Sequence, residues 1–177
     1  MRLITRSIPG LLAGVVWLAS ASAADAPATF KVSEFTFKRP GSWGWVESTS
    51  AMRKAQLKVT DPKTKENAEV VFFYFGADGG GGTQANVDRW LGQFQDAGKP
   101  KREEITIGTT KVTYVQTEGT YLSGPPGGAK TPLTNHALLG AIVEGAEGSV
   151  FIKLTGPKAL AKSAEADFKK LVEGALK

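Results

Sequence analysis

One stretch, Val70 to Gln95, constrains the fold more than any other. Residues 70–75 read Val-Val-Phe-Phe-Tyr-Phe, apolar on both sides of the chain. A strand of that kind is covered on both faces, so it belongs in the middle of a sheet. Gly76-Ala77-Asp78 and four consecutive glycines, Gly79 to Gly82, follow at once. Thr83 has the chemistry of a helix N-cap. Val87, Trp90, Leu91 and Phe94 then recur at i, i+3, i+4 and i+7, the spacing of one apolar helix stripe. Gly98 followed by Pro100 is the expected stop. The stretch thus predicts a central strand, a glycine loop and a helix laid back onto the sheet, with a concave edge between them.

The N-terminus reads differently. Arg2 and Arg6 precede an apolar run from Leu11 to Leu18, and Ala21-Ser22-Ala23 is a small-residue cleavage pattern. This is the grammar of a secretory signal peptide over residues 1–23, cut between Ala23 and Ala24. The apolar run is too short to span a bilayer. A periplasmic or extracellular protein of residues 24–177, organised as one α+β domain, is the expectation. Residues 24–177 carry 20 basic and 17 acidic side chains. A small excess of scattered positive charge is not the footprint of a nucleic-acid binder.

Cysteine is absent and histidine occurs once, at His136. That excludes thiolate nucleophiles, dithiol redox chemistry and disulfide stapling. It also removes the His-rich zinc and copper sites. No cofactor or metal is expected, and no later segment has the length of a membrane span.

Strands surround the central unit. Phe30, Val32, Phe35 and Phe37 nearly alternate, with one slip, which predicts a bulged strand or two short ones. Trp43 and Trp45 fall on one face of the next strand. Ala55, Leu57 and Val59 alternate with Gln56 and Lys58, and residues 61–67 are a hairpin loop by composition. Further strands are expected over 103–107, 111–116 and 118–122, with a tight turn at Gly108-Thr109. Ser123 to Thr134 reads as a long loop, Ala137 to Glu144 and Ser149 to Thr155 as strands. A last helix has Leu160, Ala164, Phe168, Leu171, Val172 and Ala175 on one face. Strand runs separated by two single-faced helices predict an α+β fold, a mostly antiparallel β-sheet covered by two main helices.

This order resembles the PsbP-like fold of the photosystem II extrinsic proteins, which Mog-type Ran-binding proteins and several exported bacterial proteins share. The resemblance rests on the Phe30 to Trp45 strands, the loop and helix from Gly79 to Phe94, the hairpin at Gly108, and Phe151-Ile152-Lys153-Leu154-Thr155-Gly156 entering the last helix. Ser50 to Ala55, Phe73 to Gly76 and Asn86 to Phe94 are similar to segments of bacterial secreted proteins. The resemblance implies an α-β-α sandwich that works as an accessory or binding subunit. It carries no functional residue over to this chain.

Several groups have the chemistry for a site. Backbone amides of Gly79, Gly80, Gly81, Gly82 and Thr83, just ahead of a helix, suit an anion. The loop lacks a P-loop lysine, and the plainer reading is a connector. Asn86, Arg89 and Gln93 share a helical face and, with Arg53, make a recognition patch or an ordinary solvated face. Trp43, Trp45 and Trp90 suit stacking on a sugar or peptide, or belong to the core. His136 beside Asn135 is a possible general base, with Ser48, Ser50 or Ser123 as nucleophile, but no Gly-x-Ser-x-Gly elbow accompanies them. Glu103 with Glu104, or Glu144 with Glu147, offer paired carboxylates, and Asp61, Glu66 and Asp78 offer oxygens without EF-hand spacing.

The sequence therefore points to an exported, non-catalytic binding or accessory protein of the cell envelope. Its contact residues are expected at Arg53, Gly79–Thr83, Asn86, Arg89 and Gln93, and its partner is an envelope protein or a small ligand. The alternatives are a secreted hydrolase and a small-ligand or anion carrier built on the glycine loop.

Overall fold

The structure is a computed structural model and describes residues 26–125 and 127–177. The leader expected over residues 1–23 lies outside the described residues. The chain begins with a small hairpin, β1 (Thr29–Val32) and β2 (Phe35–Lys38), joined at Ser33-Glu34. The slip in the sequence pattern is this turn, with Ser33 at φ +54°.

The main sheet follows. Its strands are β3 (Gly44–Trp45), β4 (Arg53–Thr60), β5 (Asn67–Tyr74), β6 (Phe94–Gln95), β7 (Lys101–Ile107), β8 (Thr110–Ser123), β9 (Thr131–Gly145) and β10 (Gly148–Pro157). They lie in the order β3-β4-β5-β10-β9-β8-β6, with β7 also paired to β8, and every pairing is antiparallel. The long apolar strands β5, β10 and β9 hold the middle, where both faces are covered, as the run at Val70 requires.

Two helices sit on opposite faces. α2 (Lys158–Gly174) buries Leu160, Ala161, Ala164, Phe168, Leu171 and Val172. It shares its face with the β1–β2 hairpin, and together they cover Leu57, Val70, Phe72, Ile152 and Leu154. Each large side chain so buried is worth roughly 1.5–3 kcal/mol. α1 (Thr83–Leu91) covers the other face through Val87 and Trp90, which pack on Val115, Leu138, Ile142 and Phe151. Trp90 lies directly over Gly140, where a Cβ would stand 2.5 Å from its ring. The result is a mostly antiparallel α+β fold in three layers.

Several expectations need correction. The N-cap of α1 is Gly82, not Thr83, which occupies the first helical position and donates its hydroxyl to Glu144 Oε1 at 2.8 Å. The helix ends at Leu91 with Gly92 as its cap, so Gly98 and Pro100 do not stop it. Phe94 leaves the helix and enters β6, because the edge of β8 at Thr120-Tyr121 offers hydrogen bonds there. Its apolar side chain packs on the same cluster either way, so the spacing alone could not separate the two conformations. Residues 118–122 continue β8 rather than forming a strand of their own, and β9 starts at Thr131, which shortens the expected loop. Trp43 precedes β3 and is buried, while Trp45 is partly buried against the same core.

Candidate functional site

α1 spans nine residues against a broad sheet. It covers the end of its face near Glu144 and Phe151 and leaves the opposite end open. There the backs of β4, β5, β10, β9 and β8 form the floor of a cleft of about 470 Å3. Gln56, Lys58, Glu69, Thr155, His136, Tyr121, Ser123 and Leu133 line it.

Alternation explains which side chains reach it. On β4 and β5, Leu57, Val70 and Phe72 face α2, so Gln56 and Glu69 face the cleft. A register shift between Arg53 and Ala55 turns Arg53 to the same side. Its guanidinium donates to Glu69 Oε1 at 2.5 Å and to Gln56 Oε1 at 3.0 Å, and Gln56 Nε2 donates to Glu69 Oε1 at 2.8 Å. Glu69 Oε2 has no hydrogen bond among the described residues, and the side chain is 44% exposed.

A second irregularity builds the other wall. Between Gly119 and Tyr121 the β8–β9 register shifts, and Asn135 takes φ +55° as the extra residue. The bulge re-aims the neighbouring side chains. It brings the Tyr121 and His136 rings to a stack, 6.5 Å between centroids and 20° between planes, with Phe94 5.2 Å behind Tyr121. His136 Nδ1 lies 2.9 Å from the Thr134 carbonyl. A carbonyl only accepts, so Nδ1 carries a proton, and Nε2 has no hydrogen bond among the described residues. The Thr155 hydroxyl, in the floor, is buried without a partner among the described residues.

Lys153 stands at the boundary between the covered and open halves. Its Nζ donates to Gln93 Oε1 at 2.9 Å and lies 5.5 Å from the centre of the Tyr121 ring. Burial pushes its pKa down to about 8; Glu69 opposes that shift, and Arg53 and Lys130 add to it. Burial also raises the Tyr121 phenol, with Glu69 adding to the shift.

The expected contact residues divide between two places. Arg53 pairs with Glu69, which lines the cleft, and Gln93 accepts from Lys153. Gly79, Gly80, Gly81, Gly82, Thr83, Asn86 and Arg89 form a separate cluster at the start of α1. Asn86 is not on a solvated face: it is 2% exposed. Its Nδ2 donates to the carbonyls of Gly80, Gly81 and Gly82 at 2.7, 3.3 and 3.0 Å, and Arg89 donates to its Oδ1 at 2.8 Å. Gly80, at φ +83°, rests on Phe151, where a Cβ would stand 2.6 Å from the ring. The loop is therefore latched to the helix and seated on the sheet. Gln93 lies beyond the helix end, so the supposed single face of Asn86, Arg89 and Gln93 does not exist.

The sequence reading missed Lys153, Glu69, Gln56 and Tyr121 as neighbours. One signal was present: Lys153 is the lone charge in Val150 to Leu154, inside a strand paired on both sides. A charged residue in a central strand marks a place where that face is open or polar.

No family model and no curated protein matches the chain. Solved structures do. The solution structure of cyanobacterial PsbP (CyanoP) from Synechocystis sp. PCC 6803 is similar with a TM-score of 0.50 at 11% identity, over 87% of this chain and 95% of that one. A protein of unknown function from Pseudomonas aeruginosa is similar with a TM-score of 0.47 at 16% identity, over 82% of this chain and 92% of that one. The cyanobacterial likeness shows the fold, a PsbP-like α+β sandwich, as the order of elements in the sequence implied.

Proposed function

We propose that this protein is an exported, non-catalytic binding module of the cell envelope, and that it binds at the open end of the sheet face under α1. The observation that carries the reading is the incomplete cover. A helix of nine residues leaves a cleft whose floor and walls bring together an ion pair, an aromatic stack and a buried hydroxyl, that of Thr155, without a partner among the described residues. Concave sites with a few convergent polar groups are where small ligands bind. In this reading Arg53 and Gln93 shape the cleft, and the glycine loop with Asn86 and Arg89 holds α1 at the distance that keeps the cleft open. The leader over residues 1–23 supports export, and no helix among the described residues is long and apolar enough to cross a membrane.

Two measurements test the reading. Protein recovered from the envelope fraction should have the mass of a chain starting at Ala24; an intact N-terminus would argue against export. A thermal-shift panel of phosphate, sulfate, calcium, short peptides, saccharides and common metabolites tests binding. A ligand at 100 times its Kd stabilises by about 2.7 kcal/mol, which moves the midpoint by several degrees. A saturable shift that disappears in Tyr121→Leu supports the cleft, and a flat panel counts against it.

A further inference from the structure

We infer that the outward face of α2 and its flanks dock on a membrane surface of anionic phospholipid headgroups. This surface is separate from the proposed cleft, which lies on the opposite face of the sheet.

The distribution of charge carries the inference. Three grooves follow one another along α2. The first lies between the start of the helix and β7–β8, and the second shares Lys101, Gln116 and Glu165 with it. The third lies between residues 38–42 and the end of the helix, and shares Lys169 with the second. Ten of the 20 basic side chains of residues 26–177 line these grooves, with five of the 16 acidic ones. The remainder of those residues carries ten basic and 11 acidic side chains. Lysines scattered along the sequence are thus gathered on one side, and the positive excess of the fold sits there.

Local pairing leaves the lysines in surplus. Lys158 donates to Glu118 at 2.7 Å, Lys169 to Glu103 at 2.9 Å, and Gln116 to Glu165 at 2.6 Å. Lys38, Lys99, Lys101, Lys162 and Lys170 are exposed, and their ammonium groups have no partner among the described residues. These five do not converge on one point. Lys99, Lys101 and Lys162 stand beside the first half of α2, Lys38 and Lys170 beside the second, and 17 residues of helix run for about 25 Å. A single small anion cannot meet them together, whereas an extended anionic plane can.

The same face lacks an anchor for a protein partner. Specific protein interfaces centre on buried aromatic or large side chains. The outward stripe of α2, opposite Leu160, Phe168 and Leu171, places Ala159, Ser163 and Ala166 between its lysines. Among the described residues the exposed large apolar side chains are Met52 and Phe75, and neither lines the three grooves. A lipid surface needs no such anchor. Each lysine close to anionic headgroups strengthens binding about fivefold, and salt screens the attraction.

Vesicle co-sedimentation of the purified protein, without residues 1–23, tests this. Vesicles of phosphatidylcholine mixed with phosphatidylglycerol should carry the protein down, vesicles of phosphatidylcholine alone should not, and high salt should release it. Lys162→Glu combined with Lys170→Glu should weaken binding at least tenfold. Lys54→Glu combined with Lys63→Glu makes the same charge change at exposed positions outside the grooves, and should weaken it far less. All four side chains are exposed, so both variants should melt as the wild type does. Equal weakening in the two variants would mean that net charge alone acts, and would overturn the assignment of the face. Absence of binding to the anionic vesicles, or equal binding to both kinds, would overturn the inference. If soluble polyglutamate binds while the vesicles fail, the face takes an acidic polypeptide and the bilayer is wrong. Each of these failures leaves the cleft reading standing, because the thermal-shift panel and Tyr121→Leu test the other face.

Discussion

Asn86 shows how one buried amide decides the shape of a loop. The glycine run has no side chains to hold it, so its carbonyls need a donor from elsewhere, and Nδ2 of Asn86 serves three of them. Asn86→Ala should destabilise the protein by about 1–3 kcal/mol in urea unfolding, because buried acceptors lose their partner. Asn86→Asp should cost at least as much, since it sets an acceptor against acceptors. Lys153 makes the complementary case. Its folded-state pKa, about 8, lies below the ordinary 10.5, so the unfolded chain binds the proton more strongly. Below pH 8 both states are charged and the burial cost is carried in full. Between pH 8 and 10.5 stability should rise, by about 1–3 kcal/mol from this group. Lys153→Met should abolish that rise and be no less stable than the wild type at pH 7; a rise of the same size in the variant would assign it to other groups. Both roles were hard to read from the chain. Spacing put Asn86 on a polar helical stripe, because the pattern carries no sign that a loop would fold over that position. Lys153 was visible as a lone charge in an apolar strand, but its neighbours come from β4, β5 and β8, far away in sequence.

At the scale of elements, α1 is positioned by what its face lacks. Trp90 can approach the sheet only because residue 140 is glycine. Gly140→Ala should push the helix outward, destabilise the protein by about 1–3 kcal/mol as overpacking does, and raise amide exchange in α1 more than in α2. Unchanged exchange in α1 would mean that the contact does not seat the helix. Both helices, the central strand at Val70 and the hairpins at Asp61 and Gly108 were legible, since each has a strong period or turn signature. The ends of α1 were not. Phe94 continues the helical spacing, yet an open strand edge at Tyr121 captures it. Thr83 has capping chemistry, yet its hydroxyl goes to Glu144 and the cap falls to Gly82. The two register shifts that build the cleft, at Arg53 and at Asn135, break the alternation a pattern reading relies on, and so the site they create was hidden by the same feature.

For the molecule as a whole, the two faces of the sheet differ in cover. The face under α2 and the β1–β2 hairpin is closed into one core. The other is half closed by a short helix, and the open half gathers the polar side chains that the core cannot hold. The glycine loop, the most conspicuous feature of the sequence, is latched by Asn86 and seated on Phe151 at the start of α1. In the proposed function this open half, and not the loop, is the binding surface. Amide chemical-shift mapping of the protein titrated with the compound that gives a saturable thermal shift separates the two directly. Shifts centred on Gln56, Glu69, Tyr121 and His136 are the expected result. Shifts centred on Gly79 to Thr83, or on the face under α2, would contradict it.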